Sequence, residues 1–215
     1  MIKIAESFAD EVSGLLLEIG AIKLSPEKPF TWSSGWKSPI YCDNRLALSY
    51  PEKRTYIKHA LVNAVKESFP DAESIAGVAT AGIAQGALVS EALELPFLYV
   101  RPKPKDHGMQ NLIEGKIVKD QKVVLVEDLV STGGSSIKAA EALRDAGFNV
   151  IGMVAIFTYG FNTAKENFEA AKIPLVCLSD FNHLLSRAIK HNYLKPEHLN
   201  FVSQWRENPA VWNQA

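Results

Sequence analysis

Ile4, Phe8, Val12, Leu15, Leu16 and Ile19 recur at helical spacing with polar residues between them, so an amphipathic helix is predicted near the start, stopped by Gly20. From Phe30 to Leu48 the texture changes. Trp32, Trp36 and Tyr41 are interleaved with the turn-forming Ser33, Ser34, Gly35 and Pro39, which reads as a strand, a tight turn and another strand. Pro51 begins a second helix with Ile57, Ala60, Leu61, Ala64 and Val65 on one face, and Pro70 ends it.

Beyond Pro70, short apolar runs at Ser74 to Val78, Pro96 to Val100, Val123 to Val126, Val150 to Phe157 and Leu175 to Leu178 are separated by helix-like segments or a long loop. These runs lack the polar alternation of half-exposed strands, which indicates strands covered on both faces. The predicted fold is α/β, an open, twisted, mostly parallel sheet flanked by helices. No repeat, low-complexity tract or linker divides residues 1–215, which read as a single domain. The stretch from Lys195 to Ala215, with Trp205 and Trp212, reads either as a packing helix or as part of a subunit contact.

With 23 basic against 24 acidic side chains, bulk charge points to neither nucleic acid nor an anionic membrane as a partner, so an anion would need a local site. Cys42 and Cys177 have no disulfide or zinc spacing, and no apolar run reaches the roughly 18 residues of a membrane helix. The Met-Ile-Lys-Ile-Ala-Glu start lacks the apolar centre of a signal peptide. A reducing, cytoplasmic setting is expected.

The most informative stretch runs from Val123 to Ser136. An apolar strand ends in the adjacent carboxylates Glu127 and Asp128, and a Ser/Thr/Gly turn then leads into a helix carrying Ile137, Ala140 and Leu143. Open α/β sheets bind ligands at the carboxyl ends of strands. Gly133 and Gly134 allow close backbone approach, the helix start favours a phosphate, and the hydroxyls of Ser131, Thr132 and Ser135 add donors. A simpler account makes this a plain βα turn with Ser135 capping the helix, but it leaves two neighbouring acids without a cation or hydroxyl partners to offset their repulsion. The patterns of nucleoside triphosphatases and dinucleotide binders are absent.

Val123 to Ser136 resembles the phosphoribosyl pyrophosphate motif of the type I phosphoribosyltransferases. The resemblance implies that Glu127 and Asp128 hold the ribose hydroxyls. It also implies that Leu129, Val130, Ser131, Thr132, Gly133, Gly134 and Ser135 form the phosphate-binding stretch, with the loop from Val130 to Ser135 wrapping the 5′-phosphate. Magnesium is the implied cofactor, brought by substrate phosphates and not by a protein metal cage.

Arg101, Lys103, Lys105 and His107 lie in the long proline-containing segment from Arg101 to Lys116. Charged runs of this kind are usually exposed loops. Cations that meet the charge growing on a departing pyrophosphate, however, stabilise the transition state more than the ground state. Arg101 with Lys105, Asp106, His107 and Gly108 resembles the catalytic loop of orotate phosphoribosyltransferases. By that resemblance Arg101, Lys105 and His107 contact pyrophosphate, Lys105, His107 and Asp128 are the catalytic residues, and the protein is a homodimer whose loop reaches the neighbouring site. Phe30 to Tyr41, followed by Cys42-Asp43-Asn44-Arg45, resembles that family's hood over orotate, a small N-terminal element placed at about residues 20–48.

The implied activity joins orotate to the ribose 5-phosphate of phosphoribosyl pyrophosphate, giving orotidine 5′-phosphate and pyrophosphate in pyrimidine (UMP) biosynthesis. Ser131 is the expected orotate contact, and no covalent enzyme intermediate is needed. Some relatives carry lysine where this chain has Ser33 and Pro102 and a Tyr-Lys pair where it has Thr80-Ala81, and Ala79 to Gly82 are expected to cradle pyrophosphate through backbone N–H groups. A transferase acting on a purine would need neither the Lys-Asp-His-Gly loop nor the hairpin. A regulatory protein that senses the same donor would need a basic surface or an added domain.

Overall fold

The computed structural model describes residues 2–32, 34–103 and 112–212. Strand β1 (Ile2–Ile4) precedes helix α1 (Glu6–Glu18), and the short strands β2 (Ile22–Leu24), β3 (Phe30–Thr31), β4 (Lys37–Ser38) and β5 (Ile40–Cys42) follow. A 3-10 helix (Asn44–Ser49) leads into α2 (Pro51–Ser68), whose first-turn proline lacks only a donor the helix would leave unused. The alternating part comprises β6 (Ser74–Val78), α3 (Ala81–Leu93), β7 (Phe97–Val100), β8 (Ile113–Glu114), β9 (Lys122–Val130) and α4 (Gly134–Asp145). It continues through β10 (Asn149–Thr158), α5 (Asn162–Ala170), β11 (Leu175–Asp180), α6 (Phe181–Lys190) and α7 (Leu199–Glu207).

Seven strands form the central sheet in the order β1-β11-β10-β9-β6-β7-β8. All neighbours are parallel except β7 and β8. Along β9 the side chains alternate between two cores. Val124 and Val126 join Leu16, Ile57, Leu61 and Leu184 from α1, α2 and α6, whereas Val123 and Leu125 join Ala140, Leu143 and Phe168 from α4 and α5. Burial on both faces explains why the run is uniformly apolar.

Several boundaries differ from the sequence reading. Ile4 belongs to the edge strand β1, pairing with Cys177 of β11, and the helix begins only at Glu6. Three residues carry too little periodicity to announce such a strand. The predicted hairpin is reduced to β3 and β4, while β5 pairs instead with β2, and Asn44 to Ser49 form the 3-10 helix. Strand β9 runs on through Glu127, Asp128, Leu129 and Val130, beyond the apolar run that signalled it. Ile113–Glu114, inside the segment expected to be irregular, closes the sheet edge against β7.

Close backbone packing holds α3 against the sheet. A Cβ on Gly82 would lie 2.3 Å from the Val126 carbonyl oxygen, and one on Gly77 would lie 2.9 Å from that of Gly82. Neither obstacle is a side chain that can rotate away. Gly82→Ala is therefore expected to lower stability by about 1–3 kcal/mol, the usual cost of overpacking, read as the urea midpoint. An unchanged midpoint would contradict this packing.

Candidate active site

The carboxyl end of β9 is where the candidate chemistry collects. Glu127 is 5% exposed. Its Oε1 accepts a hydrogen bond from the Asp128 backbone N–H at 3.0 Å, and its Oε2 accepts one from the Ser136 hydroxyl at 3.0 Å. Ser136, which the sequence reading passed over, thus ties the first turn of α4 to the acid. Burial, followed by the charge of Asp128, pushes the Glu127 carboxyl well above its ordinary range. Asp128 is also raised, chiefly by burial.

Asp128 is fastened from the other side. The Asn44 side-chain amide donates to the Asp128 carbonyl oxygen at 2.7 Å, and the Cys42 thiol donates to Asn44 Oδ1 at 3.3 Å. Loss of solvation, then the charges of Asp128 and Asp43, push the Cys42 thiol up. The Arg45 guanidinium donates two hydrogen bonds to Asp43, at 2.7 and 3.0 Å, its backbone N–H donates a third at 3.2 Å, and together they draw the Asp43 carboxyl down. The Asn44 amide joins the 3-10 helix to the acid pair. The Phe30 to Arg45 motif carried no separate sign of that role.

The expected phosphate stretch divides between two elements. Leu129 and Val130 complete β9, Ser131 to Gly133 form the turn, and Gly134 and Ser135 open α4. Gly133 occupies the N-cap at φ +83°, where a Cβ would also strike the Phe168 ring at 2.7 Å. Glycine is required here. Ser135 lies inside the helix, so it is not the cap, and no side chain caps α4, which leaves its first N–H groups facing the turn. The turn is braced by Asn167, whose amide donates to the Thr132 carbonyl at 2.9 Å, and by the Thr158 hydroxyl, which donates to the Val130 carbonyl at 3.0 Å.

A second helix start converges on the same strand end. The Ala79–Thr80 peptide is cis, and α3 begins at Ala81 with no side-chain cap. The Ala79 N–H is committed to the Val100 carbonyl at 2.9 Å, so Ala79 cannot contribute the backbone donor expected of it. A Cβ on Gly82 would be 3.4 Å from Glu127 Cα, which puts the start of α3 beside the acid.

Two cavities flank this centre. One, of about 620 Å³, is lined by Thr31, Trp32, Ser34, Trp36, Tyr41, Cys42, Leu129, Ser131, Thr132 and Tyr159, and so joins the hood to the phosphate turn. Trp32 and Trp36 stack at 6.4 Å, and both line it with Ser131. Tyr41, from the stretch read as the hood, also lines it, as does Tyr159, which was not singled out from sequence. The other cavity, of about 680 Å³, is bordered by Ala79, Arg101, Gly134, Ser135 and Lys138. Arg101 Nη1 lies 3.7 Å from Glu114 Oε1 and has no hydrogen-bond partner among the described residues. Lys105 and His107 lie outside the described residues.

Raising the Glu127 pKa means that the folded protein holds this proton more tightly than the unfolded chain does. The associated stability is complete below the ordinary value of 4.5 and is lost as pH rises through the raised one. Glu127→Gln should therefore resist urea better than the parent at neutral pH, with the difference closing as pH falls toward 4.5. A parent that outlasts the variant at pH 7 would refute this.

The profile of the phosphoribosyl transferase domain family matches residues 57–183. An orotate phosphoribosyltransferase of Cytophaga hutchinsonii is 55% identical over 208 residues, which cover 97% of this chain and 100% of the relative. The crystal structure of orotate phosphoribosyltransferase from Aeropyrum pernix superposes with a TM-score of 0.73 at 27% identity, covering 85% of this chain and 99% of that one. The structure of Leishmania donovani UMP synthase gives a TM-score of 0.76 at 25% identity over 91% of this chain, which spans only 42% of that larger protein. By full-length identity, by domain and by fold, the chain belongs to the orotate phosphoribosyltransferases of the phosphoribosyl transferase domain family.

Proposed function

We propose that this chain transfers the ribose 5-phosphate group of phosphoribosyl pyrophosphate to orotate, giving orotidine 5′-phosphate and pyrophosphate in pyrimidine (UMP) biosynthesis. The observation that carries the reading is the cavity in which an aromatic hood meets the Ser131–Thr132 turn at the end of the strand that bears the acid pair. A flat, anionic base needs ring faces and polar donors together, and a sugar phosphate needs an uncapped helix start close by.

In this reading the Ser131 to Gly133 turn and the first N–H groups of α4 bind the 5′-phosphate. Glu127 and Asp128 accept hydrogen bonds from the ribose hydroxyls. Ser131, on the wall shared by turn and cavity, donates to orotate, and Trp36 and Tyr41 supply ring surface. The anomeric carbon is then held between the base nitrogen and the leaving group, so alignment replaces a protein nucleophile. Arg101, Lys105 and His107 meet the charge that develops on pyrophosphate as its bond to that carbon breaks.

Magnesium suits this donor set. A hard cation of this kind keeps phosphate and water ligands, so it would arrive on the substrate's phosphates. Glu127 and Asp128 would face it through the ribose hydroxyls. When bound, it supplies positive charge to the pyrophosphate oxygens. The homodimer, with its basic loop at the neighbouring site, also belongs to the proposal and rests on the family resemblance. A cytoplasmic location fits the free thiols of Cys42 and Cys177, and no helix among the described residues is long and apolar enough to cross a membrane.

Purified protein given magnesium, phosphoribosyl pyrophosphate and a panel of bases is expected to form orotidine 5′-phosphate and to stop when the metal is chelated. A purine nucleotide as the only product would reject the choice of base. Lys105→Ala is expected to lower kcat by about 10²-fold or more, the scale of losing one preorganised group that meets developing charge. Unaltered turnover would remove the loop from the mechanism.

A further inference from the structure

We propose that Trp205 on α7 is a positioning residue for orotate, acting through the cavity wall without touching the substrate. The inference rests on the reading of the 620 Å³ cavity as the base site. Trp205 is fully buried and is not among the residues that line that cavity. Its ring meets Trp32 edge-on at 5.5 Å and 80°, and Tyr159 at 5.3 Å and 86°. Both of those rings do line the cavity. Phe161, at 5.3 Å, and Phe181, at 5.9 Å, complete a shell around the indole. The Arg206 guanidinium lies 5.3 Å over Phe181 and donates to Asn182 at 2.9 Å, which joins α7 to α6.

The hood needs such a support. Strands β3 and β4 have two residues each, and a ladder that short does not hold its register unaided. Trp32 follows β3 directly, and its own bonds, from the backbone N–H to the Trp36 carbonyl and from Nε1 to the Ile40 carbonyl, all stay within residues 30–42. What ties its ring to the rest of the protein is the pair of contacts with Tyr159 and Trp205. Tyr159 directly follows β10, so Trp205 packs at once against a ring of the hood and a ring anchored to the central sheet.

The indole serves here by shape. Trp205 Nε1 is buried and has no hydrogen-bond partner among the described residues, so its N–H fastens nothing there. An aromatic ring without that donor can fill the same role, whereas an aliphatic side chain cannot reproduce the edge-to-face geometry. Trp205 also lies outside the family-matched residues 57–183, as does the whole hood, whereas Leu129, Ser131, Thr132 and Tyr159 of the cavity wall lie inside them, so a residue near the C-terminal end backs a wall shared by the hood and the matched domain.

The test compares Trp205→Leu, Trp205→Phe and Tyr41→Ala with the parent by steady-state kinetics, each well below its melting temperature. Trp205→Leu is expected to raise the KM for orotate by about tenfold, the effect of a disturbed aromatic contact. The KM for phosphoribosyl pyrophosphate stays within about twofold, because the phosphate turn is braced separately by Asn167 and Thr158. Trp205→Phe restores the orotate KM. General loosening of the fold would shift both constants together, and that result, or no shift in either, overturns the proposal. If Trp205→Leu is insoluble, Phe161→Leu, which disturbs the same stack, takes its place under the same criteria. Tyr41→Ala separates the two readings. A selective rise in its orotate KM without one in Trp205→Leu sinks the Trp205 role alone, whereas no rise in either sinks the cavity reading and this inference together.

Discussion

Glu127 is held near the carboxyl end of the central strand β9, buried where its charge is costly. One oxygen is engaged by the Asp128 backbone and the other by Ser136, yet neither partner is a cation. Burial and the adjacent Asp128 therefore push the Glu127 carboxyl well above its ordinary range. In the proposed reading, ribose hydroxyls and a metal-bound diphosphate would supply the donors and positive charge that the site lacks. The surrounding structure can be understood as the scaffold that keeps this pair of acids in an unfavourable but useful position.

That scaffold depends on backbone approaching backbone. Gly82 brings the start of α3 against Val126 and Glu127, while Gly133 turns the chain so that α4 begins within reach of the acids. Two helix N-termini thus point at one strand end, and their partial positive charge lies where phosphate groups are expected. Here β9 extends through the acids to Val130, paired there with β10 on one side, so the turn starts from a strand end that the sheet positions.

The cavity proposed for the base is built differently. Its wall consists of rings, Trp32, Trp36, Tyr41 and Tyr159, and its anchors are packing contacts with α7 together with the Asn44 hydrogen bond to Asp128. The division is chemically sensible. A phosphate is recognised by fixed N–H groups, whereas a flat base is recognised by surfaces whose spacing and tilt decide the fit. Asn44 connects the two halves by joining the hood directly to the Asp128 backbone.

The sequence by itself determined the layered α/β class, the parallel core strands and the acid–turn–helix unit, because each is encoded by neighbouring residues. Four consecutive buried valines and leucines, two acids and a Gly-Gly turn need no distant partner to be recognised. Only the tertiary structure decided that Ile2–Ile4 is an edge strand, that β5 pairs with β2, that Ser136 and Asn44 hold the acids, and that Trp205 backs the cavity wall. Each of those facts joins residues through space. Short strands and single polar or aromatic side chains carry no periodicity of their own, so their roles emerge only when the sheet brings distant segments into contact.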